Sequence, residues 1–205
     1  KFDWDPSTGG VDFVATTTVA GRMLNQFSAD ASGSYLRIAT TVSNHGSGNW
    51  TGRDDNMLFV LQEDGGVFEY VGSMQNLALN ESIYSVRFLG DRAFISTFRV
   101  IDPLFAIDLS DPAHPESLGH ITLPGFSTYI QLIDANHLVT VGHNTPGTFG
   151  GPVQVSLFNI SDLTAPLRIA EYSFERFSAS EAAFDHHAFA YYAELGLLSM
   201  PVATT

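Results

Sequence analysis

Apolar residues in this chain come in short runs of five to nine, separated by Gly, Asp, Asn and Pro, and almost nowhere recur at helical spacing. The runs are rich in Val, Ile, Leu, Phe and Tyr, the composition of a pleated, half-buried surface. The pattern predicts strands at residues 11–19, 35–42, 57–62, 67–72, 83–89, 92–98, 104–109, 117–123, 129–133, 137–142, 153–160, 168–174, 188–193 and 197–201. Gly65-Gly66 and Gly90-Asp91 each join two runs directly, which is common hairpin chemistry. Longer polar loops span residues 44–56 and 144–152. So many short strands joined by tight turns predict an all-β meander: a sandwich, a barrel or a propeller.

A repeat decides among these. Leu104-Phe105-Ala106-Ile107-Asp108-Leu109-Ser110-Asp111-Pro112 runs on to Pro115, and Leu157-Phe158-Asn159-Ile160-Ser161-Asp162 runs on to Pro166. A shift of 51 residues superimposes Asp108 on Asn159, Ser110 on Ser161, Asp111 on Asp162 and Pro115 on Pro166, and an apolar run follows each copy. A fainter copy, Leu58-Phe59-Val60-Leu61-Gln62, precedes residues 67–72. A four-stranded unit recurring every ~40–50 residues is the signature of propeller blades. The fold expected is therefore all-β, with β-propeller blades of four antiparallel strands. At that length the chain holds about four blades, roughly residues 1–40, 41–90, 91–135 and 136–205, making one partial domain over 1–205. The strands at either end lack an evident partner, and a ring left open exposes apolar faces and strand edges. Further blades of the same parent chain, or another subunit, are expected to cover them; a closed four-bladed ring is the alternative.

The Ser-Asp-Pro corner reads as turn architecture, since Asp and Ser can accept from turn amides while Pro fixes φ. Phe88, Phe94, Phe98, Phe105, Phe158 and Tyr172 fall at strand positions and read as core between blades. Trp4 and Trp50 lie near loops and are the better candidates for exposed contacts.

Charge narrows the function. The chain of 205 residues has 9 Lys and Arg against 22 Asp and Glu, a formal charge of −13, which repels phosphate backbones and anionic membranes. Nucleic acid is not an expected partner, and no apolar run approaches the ~18 residues of a membrane helix, so membrane insertion is not expected either. With no cysteine, disulfides, thiolate metal sites and Cys nucleophiles are excluded.

Motifs for catalysis are missing as well. Gly125-Phe126-Ser127-Thr128-Tyr129 lacks the second glycine of a hydrolase elbow, no His-Glu-x-x-His occurs, and Lys1 is the only lysine. Paired carboxylates converging from different blades remain open. Metal readings rest on two places. Asp3, Asp5 and Ser7 put oxygen ligands at alternate positions, loosely like a calcium loop, although the same segment also reads as a plain hairpin tip. Calcium is accordingly the one cofactor suggested. His137 and His143 would lie roughly 20 Å apart along a strand, too far to share an ion. His186 and His187 are adjacent, so on a strand their side chains would point to opposite faces. One of them, beside Asp185, could still face the propeller axis. Asp185, His186, His187 and Trp50 are the candidate binding residues.

The block from Glu81 through Phe94, continued by Thr97-Phe98-Arg99 and Asp102-Pro103-Leu104-Phe105, resembles the bacterial secreted "beta propeller domain" family. Leu24-Asn25-Gln26-Phe27-Ser28, Pro124-Gly125-Phe126-Ser127 and Ser180-Glu181-Ala182 with Asp185-His186 support it, and Leu-Phe-Ala-Ile-Asp looks like an LVIVD-type surface repeat. The resemblance implies export, a C-terminal propeller distantly related to WD40 repeats, and parents longer on the N-terminal side. It supplies no catalytic residues. The expected function is a secreted or cell-surface module that binds protein or carbohydrate partners or serves as a scaffold. The alternative is an extracellular enzyme, glycan-active or redox-associated, with its site on the propeller axis.

Overall fold

The computed structural model describes residues 1–43, 54–98, 102–123, 125–144 and 151–204. Within them β1 (Phe2–Asp5) and β2 (Gly10–Phe13) pair as a hairpin. Three four-stranded antiparallel sheets follow. The first is β3 (Ala29–Ser32), β4 (Tyr35–Ser43), β5 (Asp54–Asp64) and β6 (Val67–Leu77). The second is β7 (Ser82–Leu89), β8 (Arg92–Phe98), β9 (Asp102–Asp108) and β10 (Glu116–Leu123), and the third is β11 (Phe126–Leu132), β12 (His137–His143), β13 (Val153–Asn159) and β14 (Leu167–Ser173). A last pair joins β15 (Ala190–Tyr192) to β16 (Leu197–Ser199). Every strand lies beside its sequence neighbour, the meander of a propeller blade. Helical structure among the described residues is limited to short 3-10 turns, including Gln26–Ser28, Glu181–Ala183 and His186–Ala188.

Period-two alternation puts apolar residues on both blade faces, and the faces pack in series. Ala39, Leu58 and Val60 of the first blade meet Val86, Ile95 and Ile107 of the second. Phe94, Leu104 and Ala106 on the opposite face meet Ile130, Leu138 and Phe158 of the third. The third blade's far face, with Val139, Val141 and Val153, is covered by Ala182, Phe189 and Leu198 of the C-terminal segment. Val19 and Phe68 pack with Ile38, Phe59 and Leu61 on the first blade's remaining face. β7 and β11 lie against each other, so the first strands of the second and third blades are the inner ones, and the outer strand β14 is largely exposed.

The repeated corner works as an interblade latch. Asp108 and Asn159 accept from the amides of Ser110 and Ser161 at 2.8 and 2.9 Å, while Asp111 and Asp162 accept from Ala113 and Thr164, both at 2.9 Å. These bonds close the loop before each outer strand, and Pro115 and Pro166 are buried beneath it. Each loop presses on a glycine of the preceding blade. A Cβ on Gly72 of β6 would lie 2.5 Å from the Pro112 carbonyl oxygen, and one on Gly119 of β10 would lie 2.6 Å from that of Thr164. Arginines add further ties. Arg37 is buried, pairs with Asp30, donates to the Gly90 carbonyl and stacks 5.3 Å from the Phe88 ring.

Several expectations shift. The sheets cover 29–77, 82–123 and 126–173, so cuts near 40, 90 and 135 fall inside blades: tight turns such as Gly90-Asp91 join strands of one blade. Among the described residues three four-stranded blades form, flanked by the two-stranded pairs β1–β2 and β15–β16. The strand expected over 11–19 ends at Phe13, and the one over 188–193 shrinks to β15 between 3-10 turns. Tyr172, expected in the core, is 63% exposed on β14. β1–β2 and β15–β16 belong to separate sheets, so no blade is completed by joining the chain's two ends.

Candidate functional site

Two segments distant in sequence converge beside the inner strands β7 and β11. The turn Gln26–Ser28 is capped by Asn25, whose side chain accepts from the Phe27 amide at 3.0 Å while Ser28 reaches back to the Asn25 amide. This reciprocal cap fixes Phe27, whose ring lies edge-on to Tyr129 of β11 at 6.2 Å and to His186 at 5.0 Å. Arg87 of β7 completes the group. Its guanidinium carbon sits 3.9 Å from the Phe27 ring centre and 5.3 Å from that of Tyr129, and its Nε donates to the Ile130 carbonyl at 2.8 Å. Burial lowers the Arg87 pKa, partly opposed by Tyr129, but the guanidinium stays charged, held by ring faces and a carbonyl.

Asp185, His186 and His187 form the outer side of this site. Residues 186–188 form a 3-10 turn rather than a strand, because the Asp185 side chain accepts from the His187 amide at 2.9 Å and caps it. The two histidines are therefore not on opposite faces. Their rings touch with centres 3.8 Å apart and planes tilted by 38°, and both Nδ1 atoms face Asp185 Oδ1, at 4.0 Å for His186 and 2.9 Å for His187. His187's amide and ring hold the Asp185 carboxyl below the usual carboxylate range. Across the junction, His186 Nε2 and Gln26 Nε2 lie 3.0 Å apart, linking positions 160 residues apart in the chain. A cavity of about 210 Å³ opens between these parts, lined by Asn25, Gln26, Phe27, Thr128, Tyr129, Ala182, Ala183, Phe184 and His186. A larger hollow, about 630 Å³, lies between Gly21–Leu24, the end of β4 and the start of β7.

The other sequence candidates lie elsewhere. Trp50 falls outside the described residues. Asp3 lies 3.4 Å from the Lys1 ammonium. Both Asp5 oxygens are engaged by the turn that follows: Oδ1 accepts from the Ser7 amide and hydroxyl, and Oδ2 from the Thr8 hydroxyl. These bonds lower its pKa to about 2 and hold Asp5 and Ser7 in the hairpin tip, while Asp3 lies on β1 opposite Asp12. His137 pairs with Asp134 at 3.0 Å, while buried His143 is bonded to the Gly151 carbonyl at 2.8 Å, so neither imidazole faces the other's surroundings. The part of the site that pattern reading missed is Gln26, Phe27, Arg87 and Tyr129. Only the capping signature Asn25-x-x-Ser28 marks the place in sequence.

The Beta propeller domain profile matches residues 1–205, end to end. The chain belongs to the Beta propeller domain family. It is similar to an uncharacterized protein of Archaeoglobus fulgidus, 43% identical over 184 residues that make up 90% of this chain and 27% of that protein. An uncharacterized protein of Methanocaldococcus jannaschii is 39% identical over 178 residues, 86% of this chain and 26% of that protein. The chain thus spans about a quarter of the length of these relatives. Both are archaeal, so relatives occur outside the bacteria to which the resemblance pointed. As a beta propeller domain, the chain supplies stacked rigid blades with loops and turns gathered around their inner strands.

Proposed function

We propose that this beta propeller domain is a recognition and scaffold module acting outside the cell or on its surface, with protein or glycan partners. The observation that carries the reading is the junction of residues 25–27, 128–129 and 182–186: a polar cavity on rigid elements, rimmed by Gln26, Tyr129, His186 and the exposed ring of Phe184. Aromatic faces beside amide and imidazole groups suit sugar rings and peptide backbones, which present apolar faces edged by donors and acceptors. The carboxylates favour binding over hydrolysis as well. Asp5, Asp111, Asp134, Asp162 and Asp185 all accept from their own turns, and their carboxyls are held at low pKa rather than poised near neutrality.

A second surface supports the scaffold half of the reading. Phe2 and Trp4 of β1 pair with Phe13 and Val11 of β2, so all four side chains share one face, and each is 63–68% exposed. Such a face invites cover. Relatives more than three times as long as this chain support further blades of one polypeptide as its partner. The recognition claim is tested by screening the chain against a glycan array and a peptide library, then titrating the best ligand into Gln26→Ala and Phe184→Ala. A loss of about ten-fold in affinity (about 1.4 kcal/mol) in these variants is expected. Ligands that bind both variants as well as the parent chain would refute it, and turnover of a bound glycan would establish the enzyme instead.

A further inference from the structure

We infer that Asp185, His186 and His187 form a site for a single divalent transition ion of the zinc type, a claim that stands whether or not a macromolecule docks beside it. Among the described residues this is the place where three His, Asp or Glu side chains bring their ligand atoms together, all within 4.8 Å of one another. Three features make it more than a surface coincidence.

The first is local geometry. Consecutive histidines on a strand diverge, but the 3-10 turn capped by Asp185 brings the two rings together, tilted with centres 3.8 Å apart. Two imidazoles and one carboxylate suit zinc and its neighbours, whereas calcium prefers oxygen ligands throughout. The contacts of Asp185 Oδ1 show where the two Nδ1 atoms converge. An ion there replaces the proton now shared between His187 and Asp185, and a movement of well under one side-chain length closes the remaining gap to His186.

The second is support behind the ligands. His186 packs edge-on against Phe27, and its far nitrogen bonds to the Gln26 side-chain amide. With the amide turned so that its oxygen accepts the Nε2 proton, Nδ1 is left with its lone pair toward Asp185. In the structure the amide nitrogen meets Nε2, so this outer-shell role requires the amide turned; in that orientation it sets tautomer and ring orientation for a metal-bound histidine. The third is access. His187 is exposed, and the cavity of about 210 Å³ beside His186 leaves room for water or a partner's side chain in the ion's remaining positions. A chain with a net charge of −13 also concentrates cations at its surface.

The test uses the 205-residue chain stripped with chelator, dialysed against Zn²⁺ and assayed for bound metal, with Co²⁺ as an absorbing substitute. One ion per chain is expected, with Co²⁺ absorption bands of mixed nitrogen and oxygen ligation. His187→Ala and Asp185→Asn alter exposed side chains, keep an acceptor at position 185 for the cap and so retain cooperative unfolding, and weaken binding by more than about ten-fold. Gln26→Ala, which touches no metal, weakens it by about ten-fold as an outer-shell residue does. Substoichiometric zinc in the parent chain would overturn the assignment. So would full binding in His187→Ala, which would place the ion on other histidines.

Discussion

Gly119→Ala is the substitution that most sharply probes how the blades hold together. Gly119 lies on β10 opposite Ala106, and the loop of the next blade crosses directly over it. An added methyl would sit 2.6 Å from the Thr164 oxygen, 2.7 Å from the Leu163 oxygen and 2.9 Å from the Thr164 carbonyl carbon. All three are backbone atoms in a loop already pinned by Asp162, so no side chain can swing aside. Replacing a glycine of ordinary φ by alanine stabilises a chain by about 0.4–1 kcal/mol through the unfolded state. Overpacking costs about 1–3 kcal/mol. The clash wins, and a net loss of about 1–2 kcal/mol is expected, or roughly 2–8 °C in melting temperature for a chain of this size. Ala170 is the internal control. It faces Leu157 on β14, the repeat of the Gly119–Ala106 pair, and is exposed there. Ala170→Gly therefore relieves no contact and loses only the entropic cost of glycine, about 0.5–1 kcal/mol. Urea and thermal unfolding of the two variants beside the parent chain provide the assay. A Gly119→Ala chain at least as stable as the parent would refute the latch.

Phe94→Ala removes a fully buried ring between the second and third blades and should cost about 3–5 kcal/mol by urea unfolding, against at most about 0.5 kcal/mol for exposed Phe184→Ala. Arg87→Lys keeps the charge but loses the Nε bond to Ile130 and the planar stack on Phe27; a loss of about 1–2 kcal/mol is expected in the same assay, and none if charge alone matters. Asp5 has a folded pKa of about 2, below the ordinary value near 3.9, so its contribution is complete above about pH 4 and disappears as pH falls toward 2. The melting-temperature gap between the parent and Asp5→Ala should be open at about pH 6 and closed near pH 2; a gap that persists at the lower pH contradicts the assignment.

The blades were legible because their determinants are local and repeated. Leu109 and Ile160, at matching places in the two copies, are both buried, and the Asp and Pro of each corner build the same turn. Blade boundaries were harder to read, since a two-residue turn within a blade and the short link from Leu123 to Phe126 between blades look alike in sequence. β3 escaped notice because Ala29-Asp30-Ala31-Ser32 has too few apolar residues to mark a strand, and only its pairing with β4 makes it one. The site was half legible. Asp185, His186 and His187 attract attention as residue types, but their orientation follows from a side-chain cap that overrides strand alternation. The meeting of Phe27, Arg87 and Tyr129 depends on contacts between positions 42–102 residues apart, which leave no periodic trace.

The recognition site is tested most directly by amide hydrogen exchange across the chain, with and without the tightest ligand from the array or peptide library. Slowed exchange confined to residues 25–27, 128–129 and 182–187 is the result expected. Protection centred on the β1–β2 hairpin, with the junction unchanged, would contradict it.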